Sequence, residues 1–376
     1  MLIVLLTLIS IRPFISSLAF PYLNFAYSAL FIAFLLGWVI IKRPHLNKIA
    51  SLKYPLLVFC AALIFSGIFS INKPNTFRDI YKYINGLLLF LVAASLGEED
   101  RPRFIRAIVF SGLIISILAI YQYLIGFRHL LTYISSKNII NPFALDYIGR
   151  QRIFLPFVTP NLLAGYLAMI MLLALTAKDR GWIVSSLSLA LLLTRSIGAL
   201  LSFCLALGVY FYLRGRLKKK NIILLLVILL IISAVFILRA SAQKQHLQPV
   251  FSTMMRLNYW QDTLKIIKAR PLTGVGIGNF NLIQSRYAHN SYLQIWAEMG
   301  LLGIIAVAWL IIALLKTAFQ GLRYTPDKNQ TICLIAAILA FAIHNFVDFS
   351  FFLPEISLIW WAIAGLLSAS DYKSYG

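Results

Sequence analysis

Acidic residues are scarce in this chain. Twelve Asp and Glu stand against 34 Lys and Arg in 376 residues, a formal net charge of +22. Charge of either sign is also sparse, at 12% of residues, where a soluble domain carries about 25%. A water-facing surface for a chain of this length cannot be built from so few charges, which excludes an ordinary cytosolic enzyme. Disorder is excluded as well, because 61% of the residues are hydrophobic and disordered segments are poor in them. Cysteine is limited to Cys60, Cys204 and Cys333, each inside an apolar run, with no metal spacing and no disulfide framework. The five histidines, His45, His129, His246, His289 and His344, include no pair at zinc-ligand spacing. No cofactor or metal motif emerges.

What the chain has in abundance is long apolar sequence. A bilayer core needs roughly 20 apolar residues as a helix, and lipid leaves no backbone group a partner outside the helix itself. These runs therefore predict an all-α, polytopic membrane protein with about twelve transmembrane helices. They fall near 1–20, 22–41, 55–71, 80–97, 104–125, 161–177, 182–194, 197–213, 221–238, 290–315, 331–347 and 356–370. The first is the weakest, since Arg12-Pro13 interrupts it. Its apolar start, without a basic lead or a small-residue cleavage site, reads as a retained span rather than a signal peptide. The whole chain, 1–376, reads as one integral membrane domain, with 239–290 as a large loop inside it, periplasmic if the resemblance drawn below holds.

Orientation follows from the short loops. With the N-terminus inside, they carry 18 Lys and Arg on the inner side and 5 on the outer. The positive-inside rule then puts both termini in the cytoplasm and the two long loops, 126–160 and 239–290, on the far side. Those long loops are themselves basic, which suits either anionic headgroups or an anionic ligand. Arginine is the residue for a diphosphate, because its planar fork donates two parallel hydrogen bonds. Nothing in the pattern calls for a nucleic-acid partner.

Five stretches could carry chemistry. Arg150-Gln151-Arg152 leads to Thr159-Pro160-Asn161, where Thr159 can cap a helix that starts at Pro160. Arg152 there is either a phosphate ligand or an interface anchor. Thr194-Arg195-Ser196 sits between two spans with almost no loop to carry Arg195 into water. From Thr253 to Arg270, Leu257, Trp260, Leu264 and Ile267 recur at helical spacing opposite Asn258, Gln261, Asp262, Lys265 and Lys268. This predicts an amphipathic helix, ended by Pro271, with Arg256 at the edge of the apolar stripe. Gly274, Gly276 and Gly278 alternate in Pro271–Phe280, but no strand precedes them and no GK[ST] follows. A tight turn packed close to a neighbour fits better than a nucleotide loop. Finally, His289-Asn290-Ser291 opens the tenth span, where a helix N-terminus favours a neutral imidazole able to take a proton. Glu298, the acid inside that span, needs a buried partner. On spacing alone a lone histidine such as His289 is more often structural than catalytic.

These stretches resemble the O-antigen ligase/polymerase family of bacterial membrane glycosyltransferases. The resemblance runs from about 150 to 305 and is carried by TPNLLAGYL (159–167), TRSIGALLSF (194–203), RLNYWQDTLKIIKARPLTGVGIGNF (256–280) and AHNSYLQIWAEMGLLG (288–303). Residues 1–140 match only as generic spans, and Thr194 stands where the family tends to have serine. The resemblance implies transfer of a glycan from undecaprenyl diphosphate at the periplasmic face of the bacterial inner membrane. The acceptor is a sugar of lipid A–core for a ligase, or another lipid-linked glycan for a polymerase. It also implies that neither metal nor nucleotide sugar is used. Carried over residue by residue, His289 is the candidate base, and Arg195, Arg256 and, less directly, Arg152 hold the diphosphate. The expected function is that of an O-antigen ligase. A polymerase of the same family is the nearest rival. A lipid-linked oligosaccharide transporter is the rival of a different class, disfavoured because no internal repeat relates the two halves.

Overall fold

The computed structural model describes residues 1–43, 46–136, 142–177, 180–215, 218–240, 249–325 and 327–368. About 80% is helical and, among the described residues, there is no strand. Among the described residues fifteen α-helices follow in order. They are α1 Leu2–Ile11, α2 Pro21–Lys42, α3 Lys53–Ile68, α4 Lys73–Ser95, α5 Asp100–Tyr121, α6 Phe127–Ser136 and α7 Pro142–Gly149. After these come α8 Pro160–Ala174, α9 Arg180–Leu193, α10 Ile197–Leu213, α11 Lys219–Ala240, α12 Pro249–Ala269, α13 Ser291–Gly321, α14 Lys328–His344 and α15 Pro354–Ser368.

A helix overlies each of the twelve apolar runs. Five segments are long and apolar enough to cross a bilayer: Pro21–Lys42, Ile49–Ile68, Asp100–Ser136, Lys219–Leu238 and Ser291–Gly321. Six others, α1, α8, α9, α10, α14 and α15, are apolar but shorter. Helix α4 is long, but even its most apolar 18 residues hold Arg78, Asp79 and Lys82. Positions 369–370 of the last run, the C-terminal tail and 241–248 of the expected large loop lie outside the described residues.

The apolar helices sort by what surrounds them. Every side chain of α15, and nearly every one of α8, is buried, as expected of a helix that is hydrophobic all round. These two form the centre with α14, which packs on α8, α10 and α15, while α4 closes on α15 and α3 on α13. Helix α8 starts as its sequence predicts, with the Thr159 hydroxyl accepting from the Leu162 N–H at 3.4 Å and Pro160 in the first turn. The arginine that interrupts the first run is wholly buried. Arg12 donates to the Ile15 carbonyl at 2.7 Å and to Asn24 at 2.6 Å, and pairs with Glu355 at 3.4 Å. Glu355 in turn accepts from the backbone N–H and the hydroxyl of Ser17. The break in α1 is thus the price of a clamp joining α1, α2 and α15.

Helix α13 contains a kink that positions its first two turns. Gly300 has φ 68° and ψ −167° inside the helix, a region open essentially to glycine alone. The segment Pro271–Gly278 lies against this kink. Val275 and Gly276 donate to the carbonyls of Ala297 and Glu298, both at 2.9 Å, and Leu301 donates to that of Pro271 at 3.0 Å. The alternating glycines therefore make a close backbone-to-backbone contact and cradle no phosphate. Glu298 is satisfied internally, accepting from Gln294 at 2.9 Å and from the Gly278 N–H at 3.2 Å. A β-carbon on Gly300 would also overlap the Leu272 carbonyl. Gly300→Ala is therefore expected to cost on the order of 1–3 kcal/mol in backbone strain alone, read as a lower melting temperature and a lower folded yield in detergent.

Candidate functional site

The ends of α8, α10, α12, α13 and α14 converge, and the sequence-predicted residues lie where they meet. One corner is built on Arg152, which is buried. Its Nε donates to the Thr194 carbonyl at 2.8 Å, its Nη2 donates to Asn161 Oδ1 at 3.1 Å, and its guanidinium lies 5.9 Å from the Tyr147 ring centroid. Ser196 donates to the same Asn161 oxygen at 3.0 Å. The Thr194 hydroxyl donates to the Leu191 carbonyl and accepts from the Ser196 N–H, so threonine supplies the hydroxyl that serine would. Arg152 thereby grips the turn that carries Arg195. Arg195 itself is half-buried, and its side chain makes no hydrogen bond or ion pair among the described residues.

Gln122 supports this corner from the side. It lies on a π-helical turn, Gln122–Gly126, and accepts from the N–H groups of Phe154 and Leu155 at 2.8 and 3.0 Å. Such turns recur at functional sites because they re-aim one side chain.

A second corner was not assigned any role from sequence. His344 Nε2 lies 3.1 Å from Asp348 Oδ2 and 3.3 Å from the Asn161 carbonyl. Both neighbours are acceptors, so Nε2 carries the proton. The approach is possible because Gly165 on α8 faces the ring, where a β-carbon would overlap it. Ser350 also donates to Asp348 Oδ2, at 2.5 Å. Asp348 is fully buried, and its Oδ1 has no hydrogen-bond partner among the described residues. Burial alone would raise its carboxyl pKa. The charge and hydrogen bond of His344, the Ser350 hydroxyl and His289 outweigh that and hold it below the ordinary value.

The third corner is His289 itself. Asn290 caps α13 by accepting from the N–H groups of Tyr292 and Leu293 at 3.0 and 3.1 Å. Ser291 ties the same turn to the α14–α15 loop, donating to Asn345 Oδ1 at 2.6 Å and to the Asp348 carbonyl at 3.2 Å. The imidazole stacks on Tyr259 of α12 at 5.6 Å and meets Phe349 edge-on at 4.9 Å. Its pKa is lowered to about 4, first by burial and then by the Arg256 charge, with Asp348 pulling the other way. The ring is neutral at neutral pH, as expected from the sequence, but burial is the main reason rather than the helix terminus. Burial likewise lowers the Arg256 pKa, opposed by Asp348 and Tyr147.

Helix α12 divides its apolar stripe between two surroundings. Leu257 and Leu264 of the apolar stripe are 46% and 40% exposed, while Trp260 and Ile267 of the same stripe turn inward. The inward face runs through Arg256, Tyr259, Trp260, Thr263, Ile266 and Ile267. A helix on a membrane protein has lipid on one side and protein on the other, so apolarity alone does not identify the inner face. Arg256 lies on the protein side. It makes no hydrogen bond or ion pair among the described residues.

Backbone conformation singles out the same places. Among the described residues, four non-glycine positions have positive φ: Arg43, Gln151, Arg195 and His289. Three of them are His289, Arg195 and the neighbour of Arg152. Strain of this kind is kept where the surroundings impose it, and it clusters at functional sites. Residues 167–308 match the family model described as O-antigen ligase. The match supports an O-antigen ligase/polymerase type of membrane protein over that stretch, which is 142 of the 376 residues. No curated protein and no solved structure matches it. The O-antigen ligase match contains Arg195, Arg256 and His289, whereas Arg152 lies before it and His344 and Asp348 after it. The tertiary structure thus joins residues from inside the family segment to residues on both sides of it.

Proposed function

We propose that the chain is an O-antigen ligase that transfers a glycan from undecaprenyl diphosphate to a sugar hydroxyl of lipid A–core at the periplasmic face. The observation that carries this reading is a neutral, half-buried His289 placed next to a cation, Arg256, that has no partner of its own among the described residues. A sugar hydroxyl is a poor nucleophile and gains from a base. A lipid diphosphate is already a good leaving group and gains mainly from positive charge. In the proposed reaction His289 takes the proton of the acceptor hydroxyl, whose oxygen attacks the anomeric carbon from the face opposite the diphosphate. The bond from that carbon to the diphosphate oxygen breaks, its electrons leave with the diphosphate, and Arg195 and Arg256 hold the charge. The product is inverted at that carbon. Arg152, two of whose N–H groups already donate inside the protein, supports the Arg195 turn and contributes its charge from behind.

Asp348 balances the site before the donor arrives. A buried carboxylate beside His289 and Arg256 keeps the cluster from holding uncompensated positive charge. The incoming diphosphate then raises the His289 pKa, as any nearby anion does. A ring too weak as a base in the empty site becomes a better one in the loaded site.

The test is transfer by purified protein in detergent, with undecaprenyl-diphosphate-linked glycan and with or without lipid A–core. Glycan on lipid A–core establishes a ligase. A ladder of longer lipid-linked glycans without lipid A–core would replace this reading with a polymerase. Arg256→Gln is expected to lower turnover by about 10²–10³ fold, the usual effect of losing one charge-stabilising donor. Arg256→Lys should fall between, because it restores charge without the bidentate fork. Equal activity of the lysine and glutamine variants would remove the diphosphate from Arg256.

A further inference from the structure

The most apolar of the five candidate spans, in α11, is also the least buried. Helix α11 packs mainly on α10 and stands away from α9, leaving a cavity of about 540 Å³ between them. That volume lies within the range of about 300–1,000 Å³ typical of pockets that hold a small molecule. Its walls are apolar, with Leu191 of α9, Leu200 and Leu207 of α10 and Ile228 of α11 among them. Its far end is different. Arg214, Lys218 and Lys220 line it there, and no Asp or Glu is among the described lining residues. Arg214 is fixed in place, donating to the Tyr210 hydroxyl at 2.5 Å with its guanidinium 5.5 Å from that ring. This end lies down the whole length of α10 from Arg195, about 25 Å at 1.5 Å per residue. In the orientation read from loop charges it opens on the cytoplasmic leaflet.

We propose that this cavity binds an anionic diacyl phospholipid of the phosphatidylglycerol class. Its phosphate sits on Arg214, Lys218 and Lys220, and one acyl chain lies between α9, α10 and α11. The charge pattern selects the occupant. An apolar cavity open to the membrane accepts any lipid tail, but three cations without a lining acid reward a negative headgroup at that depth, and basic pockets between helices on the cytoplasmic side are used in this way. The donor lipid fits less well. Its diphosphate belongs with the arginines at the opposite end of α10, which would leave these three cations without a partner. The inference does not depend on the reaction proposed above.

Native mass spectrometry of the delipidated full-length protein tests it, with phosphatidylglycerol and phosphatidylcholine added in separate titrations. One phosphatidylglycerol is expected to bind in preference to phosphatidylcholine. The triple variant Arg214→Gln, Lys218→Gln, Lys220→Gln should lose that preference, weakening phosphatidylglycerol by roughly a hundredfold if each cation near the surface contributes about fivefold. Leu224→Trp, which fills the cavity from an exposed wall position, should block binding with all three cations intact. Equal binding of the two lipids would overturn the proposal, as would an unaltered triple variant. Displacement of phosphatidylglycerol by undecaprenyl phosphate, one for one, would also overturn it and assign the cavity to the donor's tail.

Discussion

His289→Ala is expected to lower transfer by about 10²–10⁴ fold, the range that a positioned general base contributes, while the protein folds and extracts as before. The fold should tolerate the change because, among the described residues, the His289 ring makes contacts with Tyr259 and Phe349 but no hydrogen bond. The capping of α13 belongs to Asn290. The pH profile adds a readout that a packing role would not produce. In the free protein the ring loses its proton at about pH 4, so kcat/KM should stay level from neutral pH down to about 5. It should then fall roughly tenfold per pH unit below about 4, as the neutral ring is used up. In the proposed reaction the bound diphosphate raises that pKa, so kcat should begin to fall at a higher pH than kcat/KM. Full activity of His289→Ala at matched protein level would remove the base assignment. Coincident acid limbs would remove the charge coupling to the donor.

Asp348 carries the second large effect, and two substitutions separate its roles. Asp348→Ala removes one member of a buried pair and leaves the His344 N–H and the Ser350 hydroxyl facing an apolar gap. Breaking a buried pair in this way costs about 3–5 kcal/mol, so the variant should melt well below the wild type. Asp348→Asn keeps an oxygen that can accept from His344 or Ser350 and should stay folded. It removes the negative charge that raises the His289 pKa and opposes the field of Arg256. Its base is then weaker, and kcat should drop by about ten- to a hundredfold, a fraction of the whole base effect. The donor, being anionic, should bind more tightly without a buried carboxylate nearby, so KM should fall at the same time. A fall in kcat with KM unchanged would mean that Asp348 does not act on the donor through its charge.

The apolar runs located twelve of the fifteen described helices, all but α6, α7 and α12, because the cost of an unpaired backbone in lipid leaves no other solution. The Thr159 cap, the packed glycine turn at 271–278 and the internal satisfaction of Glu298 were legible for similar reasons, each being a local demand of backbone or buried charge. The candidate roles of Arg195, Arg256 and His289 rest on resemblance, since a lone arginine or histidine more readily has a structural use.

His344 and Asp348 were hidden for a definite reason. Their spacing is that of any i, i+4 neighbours, and nothing in the sequence connects them to His289, 55 and 59 positions earlier. The inward face of α12 could not be read from spacing, because lipid and protein interior are equally apolar and the stripe of leucines could not say which it faced. The clamp of Arg12 on Glu355 likewise joins the two ends of the chain. The sequence by itself determined an all-helical membrane protein and the residue types available for holding an anion, because periodicity, capping and the bilayer act over a few turns of chain. Only the tertiary structure decided which of those residues share one site and which oppose Asp348, because that depends on helix packing between segments far apart in sequence.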